Sequence, residues 1–358
     1  MCIRDRFGIL IAIVIFGLII AIHEFGHFAV AKLCGVKVNK FAIGMGPRLI
    51  KFQKGETEYS LRLFPIGGFC AMEGEDETSE DDRAFNNKPV WKRMLVVVAG
   101  AAMNIILGFV LLIVLNSMNG DIPSMKIASF HRVENEQGEI VEYTSSSYEC
   151  GLREGDVIHS LNGLRIFSAT DLSYKLSSTN EETFDVEVIR DGKKITIDDV
   201  KFEDTKNGGR LDFYLTGLDR TPLNVLNYSV KDTISTARLI WISLLDLIKG
   251  RYGVNELSGP VGIVSTIGEA ASVGDTIKEN VLSLINLTIF ITINVGVCNM
   301  LPIPALDGGR FVFLLIEAIR RKPVKPEHEG YVHLAGMLLL FALMIFATYN
   351  DILRLIKG

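Results

Sequence analysis

Cysteine is scarce in this chain of 358 residues, and what there is stands apart: Cys2, Cys34, Cys70, Cys150 and Cys298 form no pair at short spacing. That excludes a disulfide framework and a cysteine-ligated zinc site. Excess charge is missing too. Lysine and arginine number 37 against 42 aspartate and glutamate, a net of -5, so no nucleic-acid partner is suggested. Charged residues make up only 22% of the chain while hydrophobic residues reach 48%, too oily a balance for an ordinary soluble enzyme. No cleavable signal peptide is read at the start, because the apolar run there is longer than a signal core. The leading Met1 to Arg6 looks unrelated to the rest of the chain.

What is present is apolar sequence long enough to cross a bilayer, which takes about 20 residues. Four runs qualify: Phe7 to Val30, Met94 to Leu115, Val281 to Leu301 and Tyr331 to Ile356. Basic residues near their ends set the orientation. Lys32, Lys37, Lys40 and Arg48 follow the first run, Arg83, Lys88, Lys92 and Arg93 precede the second, and Arg310, Arg320, Arg321, Lys322 and Lys325 follow the third. The loops after the first and third runs are therefore expected in the cytoplasm. Both termini and the long segment from Asn116 to about Asn280 are expected outside.

The first run contains His23-Glu24-Phe25-Gly26-His27. An ionisable group at membrane depth costs about 2.5 to 3.5 kcal/mol, so three within five residues call for a purpose. On a helix His23 and His27 share one face and can reach a single ion, with Glu24 beside them. This is the His-Glu-x-x-His arrangement in which two histidines bind zinc and the glutamate is the general base.

Topology then points to a third ligand. His23 lies about 24 Å into the first span, at 1.5 Å per residue, so a partner should come from the late part of the third span, which runs in the same direction. There the chain reads Asn299-Met-Leu-Pro302-Ile-Pro304-Ala-Leu-Asp307-Gly308-Gly309. Two prolines break the helix, and irregular backbone at this depth is tolerated only inside protein or around a cavity. Asp307 is the oxygen ligand expected at that level. Two histidines and a carboxylate leave zinc a fourth position for water, as in catalytic sites.

With these motifs in order, the chain resembles the bacterial site-2 protease family of intramembrane zinc metalloproteases, of the regulator of sigma-E protease type. The resemblance rests on the histidine motif, the Asn299 to Gly308 stretch, Ser258-Gly259-Pro260-Val261-Gly262, and a segment like a PDZ domain between the second and third runs. It implies His23, His27 and Asp307 as zinc ligands and Glu24 as catalytic base. Asn299 is implied to hold substrate near the metal, although an asparagine satisfying carbonyls of the broken helix explains it as well. It also implies substrates that are single-span membrane proteins, such as anti-sigma factors or remnant signal peptides, in the bacterial plasma (inner) membrane.

The expected architecture is a polytopic α-helical membrane protein of four transmembrane helices with an inserted extracytoplasmic PDZ-like α+β domain. Residues 1–124 form the first membrane part, 125–202 the PDZ-like domain, 203–280 a linker with an interfacial helix, and 281–358 the second membrane part. The PDZ-like reading rests on Cys150-Gly-Leu-Arg-Glu-Gly-Asp-Val-Ile158, a helix candidate over Ala169 to Leu176, and alternating strands Phe184 to Ile189 and Ile195 to Ile197 around Asp191-Gly192. A groove for an extracytoplasmic peptide is its functional reading, a spacer the plain one. In the first loop, a hairpin over residues 38–70 is expected, with Phe41 to Gly46 and Tyr59 to Phe64 as strands and a turn near Lys54-Gly55. In the family such a hairpin dips toward the active site, where a strand edge holds substrate extended through backbone contacts. Gly44 and Gly46 are its substrate-binding candidates. Thr233 to Ile248 has apolar residues at helical spacing and suits an interfacial helix with Trp241 near the headgroups.

Two other readings stay open on sequence alone. One is a membrane scaffold with a PDZ-like binding domain and no catalysis. The other is a soluble-type zinc protease tethered to the bilayer, its third ligand drawn from His131 or His159.

Overall fold

A computed structural model describes residues 3–75, 79–118, 120–134, 140–177, 181–203, 211–250, 258–324 and 326–357. The chain divides into two compact units, residues 1–111 with 243–358, and residues 112–242.

In the first unit, α1 (Ile3–Leu33), α2 (Val90–Met118), α7 (Ile277–Asn299) and α9 (Pro326–Lys357) carry the four stretches long and apolar enough to cross a membrane. Each helix starts before its apolar run, and α1, α2 and α9 also end past theirs, because polar residues at the ends still satisfy helical hydrogen bonds. For α7 the reason is visible at its start. Thr276 accepts a hydrogen bond from the Glu279 amide at 3.2 Å while the Glu279 carboxylate accepts from the Thr276 amide, a capping box that moves the start four residues ahead of Val281. Its end falls at Asn299 rather than Leu301, since the residue before Pro302 is sterically turned away from helical conformation. A short helix, α6 (Pro260–Ala270), precedes α7, and α8 (Asp307–Arg320) comes after it.

Between α1 and α2 the loop is a folded sheet larger than the expected hairpin. Strands β1 (Val38–Lys54) and β2 (Thr57–Met72) each bend and contribute two segments. Residues 48–54 pair antiparallel with 57–62; residues 40–43 lie between 58–61 and 68–72, antiparallel to the latter. Against 58–61 the partner numbers rise together, Lys40 with Glu58 through Ile43 with Leu61, so those segments run parallel. The bend in β1 falls at Gly44 and Gly46, with φ of +86° and +83°, values that an L side chain resists.

Small residues bring the helices of this unit together. A Cβ at Gly26 of α1 would lie 2.8 Å from the Ala99 carbonyl carbon of α2, and one at Gly296 of α7 would lie 2.9 Å from the Ala101 carbonyl oxygen. Such close backbone approach is how helices associate where water supplies no hydrophobic drive. Arg93 of α2 and Glu317 of α8 add a two-pronged ion pair.

The second unit is an α+β body. Its antiparallel sheet has the order β10 (Phe213–Leu218), β3 (Ile122–Phe130), β6 (Val157–Leu161), β8 (Phe184–Arg190), β9 (Lys193–Val200), with β7 (Leu164–Arg165) also paired to β6. A separate pair joins β4 (Arg132–Glu134) to β5 (Ile140–Tyr143), and α3 (Ser146–Glu149) and α4 (Ala169–Ser177) complete the unit with part of α5 (Pro222–Ile248). Asp191 and Gly192 both have positive φ, the requirement of the tight turn between β8 and β9. Phe130, Leu152, Ile158, Leu161, Leu172, Val186, Val188 and Phe213 are buried in one core. Each of the large side chains among them stabilises the unit by about 1.5 to 3 kcal/mol.

Two boundaries differ from the sequence expectation. Because β10 is hydrogen-bonded to β3, the sheet takes in residues beyond 202, and β3 starts before 125. The helix expected from Thr233 starts eleven residues earlier, at Pro222, where proline fits the first helical position and the Thr221 hydroxyl accepts from the Asn224 amide at 3.2 Å.

Candidate metal centre

His23 and His27 project from one face of α1, one turn apart, their rings edge to face with centroids 4.8 Å apart. Their Nε2 atoms lie 3.2 Å from one another. Asp307 opens α8, just past the Pro302 to Leu306 break, and its Oδ2 stands 3.2 Å from His23 Nε2 and 3.4 Å from His27 Nε2. Zinc bonds of about 2.0 to 2.1 Å at tetrahedral angles hold ligand atoms about 3.3 to 3.4 Å apart, so this triangle has the size a single zinc ion requires. Asp307 Oδ2 is buried and accepts no hydrogen bond. An acceptor left this way is costly unless a cation completes it. Among the described residues this is the one group of three or more histidine, cysteine, aspartate or glutamate side chains whose ligand atoms converge. His131 and His159 have no part in it.

The break that delivers Asp307 is built on glycines. A Cβ at Gly308 would lie 2.5 Å from the Met300 carbonyl, and one at Gly309 would lie 3.0 Å from Pro304 Cα, so the start of α8 folds back onto its own connecting turn. Gly100 of α2 clears the other side. A Cβ there would overlap His27 Nε2 and come within 2.7 Å of His23 Cε1. The histidines keep 12% and Asp307 19% of their side-chain surface exposed, so the site is not fully sealed.

Glu24, next to His23 on α1, faces the sheet. Its Cγ lies 3.1 Å from where a Cβ would stand on Gly68, and the same point is 3.0 Å from the Ala42 carbonyl on the neighbouring segment. The strand residue against Glu24 is thus Gly68, at the start of segment 68–72. Gly44 is buried with its missing Cβ position 2.6 Å from the Phe64 carbonyl, and that of Gly46 lies against the Phe64 ring. The structure gives both glycines a backbone role at the bend. Asn299 ends α7, partly buried, and its side chain makes no hydrogen bond to His23, His27 or Asp307.

Sequence reasoning missed the contribution of α2. The Val96 carbonyl accepts from His27 Nδ1 at 2.8 Å, and the Asn104 carboxamide stands 3.3 Å from His23 Nδ1. With Gly100 these residues recur every fourth position and form one stripe. The only sequence signal was an asparagine in the middle of an apolar span. Arg310, one turn after Asp307, pairs with Glu75 and ties α8 to the end of the sheet.

The model of peptidase family M50 matches residues 11–343. The chain belongs to peptidase family M50. It is 32% identical to the regulator of sigma-W protease RasP of Bacillus subtilis, covering 96% of this chain and 97% of that one. That alignment runs over 428 positions, more than this chain has, so the Bacillus protein carries insertions relative to it. The zinc metalloprotease RasP of Bacillus licheniformis is 31% identical, with 96% and 98% covered, and a Clostridium acetobutylicum protein is 36% identical with 97% of each chain covered. Family membership bears out the resemblance read from the ordered motifs, and four apolar spans make this a multi-pass bacterial membrane protein.

Proposed function

We propose that this chain cleaves peptide bonds within or near the transmembrane segments of single-span membrane proteins, with His23, His27 and Asp307 as its zinc ligands and Glu24 as its base. That it is a zinc metalloprotease follows from its family and relatives. The intramembrane reading is carried by one observation: the ligand triangle is made by residues of an apolar span and of a broken helix following another, at 3.2 to 3.4 Å. A non-catalytic scaffold would have no use for two histidines and a buried carboxylate converging at this spacing.

When bound there, zinc acts as a Lewis acid toward the scissile carbonyl and acidifies water. Glu24 takes a proton from the attacking water and passes it to the leaving amide nitrogen as the C–N bond breaks. His23, His27 and Asp307 hold their positions throughout, fixed by α2 and by the turn before α8. A helical substrate hides its peptide bonds, so it has to be extended before attack. The segment 68–72 beside Glu24 supports docking of an extended substrate backbone there, with Gly44 and Gly46 shaping the sheet and Asn299 orienting substrate from the end of α7.

The second unit is read as a PDZ-like domain facing outside the cytoplasm, with an extracytoplasmic peptide as its candidate ligand, and the membrane as the bacterial plasma membrane. The sheet and α4 support the first part, and the basic loops support the second. Anti-sigma factors or remnant signal peptides are the substrate classes implied. Cleavage of a tagged transmembrane substrate in proteoliposomes tests the central reading. Wild type should cleave, Glu24→Gln should bind the same zinc and not cleave, and normal cleavage by Glu24→Gln would refute it.

A further inference from the structure

Asn104 is completely buried in α2, eight residues after Val96 and four after Gly100, on the face that meets the ligand histidines. Its Nδ2 stands 3.3 Å from His23 Nδ1, and its Oδ1 is buried with no hydrogen-bond partner. A carboxamide in the middle of an apolar span is costly to bury, and here one end of it goes unsatisfied. A further polar contact runs through the backbone, where the Thr292 hydroxyl of α7 donates to the Asn104 carbonyl at 3.0 Å.

The chemistry of a ligand histidine decides which way this amide must face. His23 offers Nε2 toward Asp307 and His27. A neutral imidazole that gives Nε2 to a metal keeps its proton on Nδ1, so Nδ1 is a donor and needs an acceptor. An amide nitrogen cannot serve. The oxygen and nitrogen of a carboxamide are alike in shape, and which one faces a neighbour is assigned from hydrogen bonding. Rotating the amide by half a turn brings Oδ1, which has no partner where it stands, onto the Nδ1 proton. His27 shows the same pattern in finished form, its Nδ1 donating to the Val96 carbonyl at 2.8 Å.

We infer that Asn104 is a positioning residue that fixes the tautomer and ring angle of His23 by accepting from its Nδ1 through the side-chain oxygen. Helix α2 thereby orients both ligand histidines, one with a backbone carbonyl and one with a carboxamide. This rests on His23 being a metal ligand. Orienting partners of this kind are worth about 10- to 100-fold in metal affinity.

The test uses the full-length protein in detergent and reads zinc affinity by competition with a chromogenic chelator, with the visible spectrum of the cobalt(II)-substituted form as a second readout. Asn104→Leu, which keeps volume and removes the acceptor, should weaken zinc binding about 10- to 100-fold and alter the cobalt bands. Asn104→Asp keeps an acceptor and should stay within about threefold of wild type. Thr292→Val disturbs the packing around Asn104 without touching its side chain, and should leave affinity and spectrum unchanged. Wild-type affinity in Asn104→Leu would overturn the inference, and so would equal losses in Asn104→Leu and Asn104→Asp, or a loss in Thr292→Val matching that of Asn104→Leu. His23→Ala is measured alongside: if it binds zinc like wild type, the ligand assignment itself has failed, and if it does not, a wild-type Asn104→Leu counts against the positioning role alone.

Discussion

His333 of α9 accepts a hydrogen bond of 2.8 Å at Nδ1 from the backbone amide of Ala305. Ala305 has φ of +77°, a conformation that costs a residue with a Cβ about 1 to 2 kcal/mol, and it stands two residues before Asp307. Three residues along α9, a Cβ at Gly336 would lie 2.5 Å from Pro304 Cβ and 2.7 Å from its carbonyl carbon. One face of α9 thus latches the turn that aims Asp307. His333→Leu should release the latch and lower both zinc affinity and cleavage, by about 2- to 10-fold for the loss of one hydrogen bond at an exposed turn. Ala305→Gly relieves the positive φ and should raise the thermal midpoint while leaving zinc affinity near wild type. Chelator competition and thermal unfolding of the two variants check this.

Gly100 is the point where α2 leaves room for the ligand rings. A methyl group at that position overlaps His27 Nε2, so Gly100→Ala must displace one ring or the helix. Tilting His27 by a few tenths of an ångström spoils a triangle whose sides are 3.2 to 3.4 Å. Gly100→Ala should therefore lose zinc affinity by about 100-fold or more while the protein still folds, at the upper end of what a misplaced ligand shell costs, and Gly100→Ser should behave alike. Metal analysis after purification, with circular dichroism as the fold control, measures it.

How far these relationships could be read from the sequence depends on whether they are local. His23 and His27 are one helical turn apart, so their convergence follows from the helix alone. Asp307 was reachable because span direction and the Pro302 and Pro304 break limit where a third ligand can sit. The turn at Asp191-Gly192 is likewise carried by two adjacent residues. Asn104, Gly100 and His333 act across helices that meet only in the folded chain, and no spacing rule joins residue 104 to 23 or 333 to 305. The sheet after α1 shows the same limit. Its strands were visible as alternating residues, whereas the parallel pairing of 40–43 with 58–61 depends on bends at Gly44 and Gly46 that alternation does not encode.

The motif Ser258 to Gly262 gains a physical account in Asp351. This carboxylate, 2% exposed near the end of α9, accepts from the amides of Gly259 at 3.1 Å and Gly262 at 2.7 Å, and so caps α6 from another helix. Cβ atoms at Gly259 and Gly262 would stand 2.8 and 2.9 Å from its oxygens, which is why both positions are glycine. Hydrogen bonds to a charged group contribute about 1.5 to 3 kcal/mol. Asp351→Leu should cost that much in unfolding free energy, and Gly262→Ala a comparable amount, with zinc affinity much less affected than in Gly100→Ala. Denaturation of the membrane protein in mixed micelles gives the comparison.

The second unit carries a pH dependence of its own. Asp232 of α5 is buried, its Oδ1 has no hydrogen-bond partner, and burial raises its pKa above the ordinary aspartate value. Asp171, the charged group facing it, pushes in the same direction, while the nearby Thr170 and Ser168 hydroxyls oppose it. Asp171 accepts from Arg238 Nη2 at 2.7 Å and from the Ser235 hydroxyl at 2.7 Å. Asp212, also raised by burial, adds to the effect despite accepting from the Ser147 amide and hydroxyl. A carboxyl whose folded pKa lies above its unfolded value binds its proton more tightly in the folded state. Its stabilising contribution is complete below the unfolded value, near 3.8, and is lost as pH rises through the folded one. Ionising Asp232 places a charge in a buried site beside the Asp171 carboxyl and destabilises the unit. Asp232→Asn should therefore raise the thermal midpoint at pH 7, leave it nearly unchanged at pH 4, and flatten but not abolish the decline between them, since Asp212 still titrates. Thermal unfolding of the full chain across that range decides it, and an Asp232→Asn variant less stable than wild type at pH 7 would show that the carboxylate is better satisfied than this geometry allows.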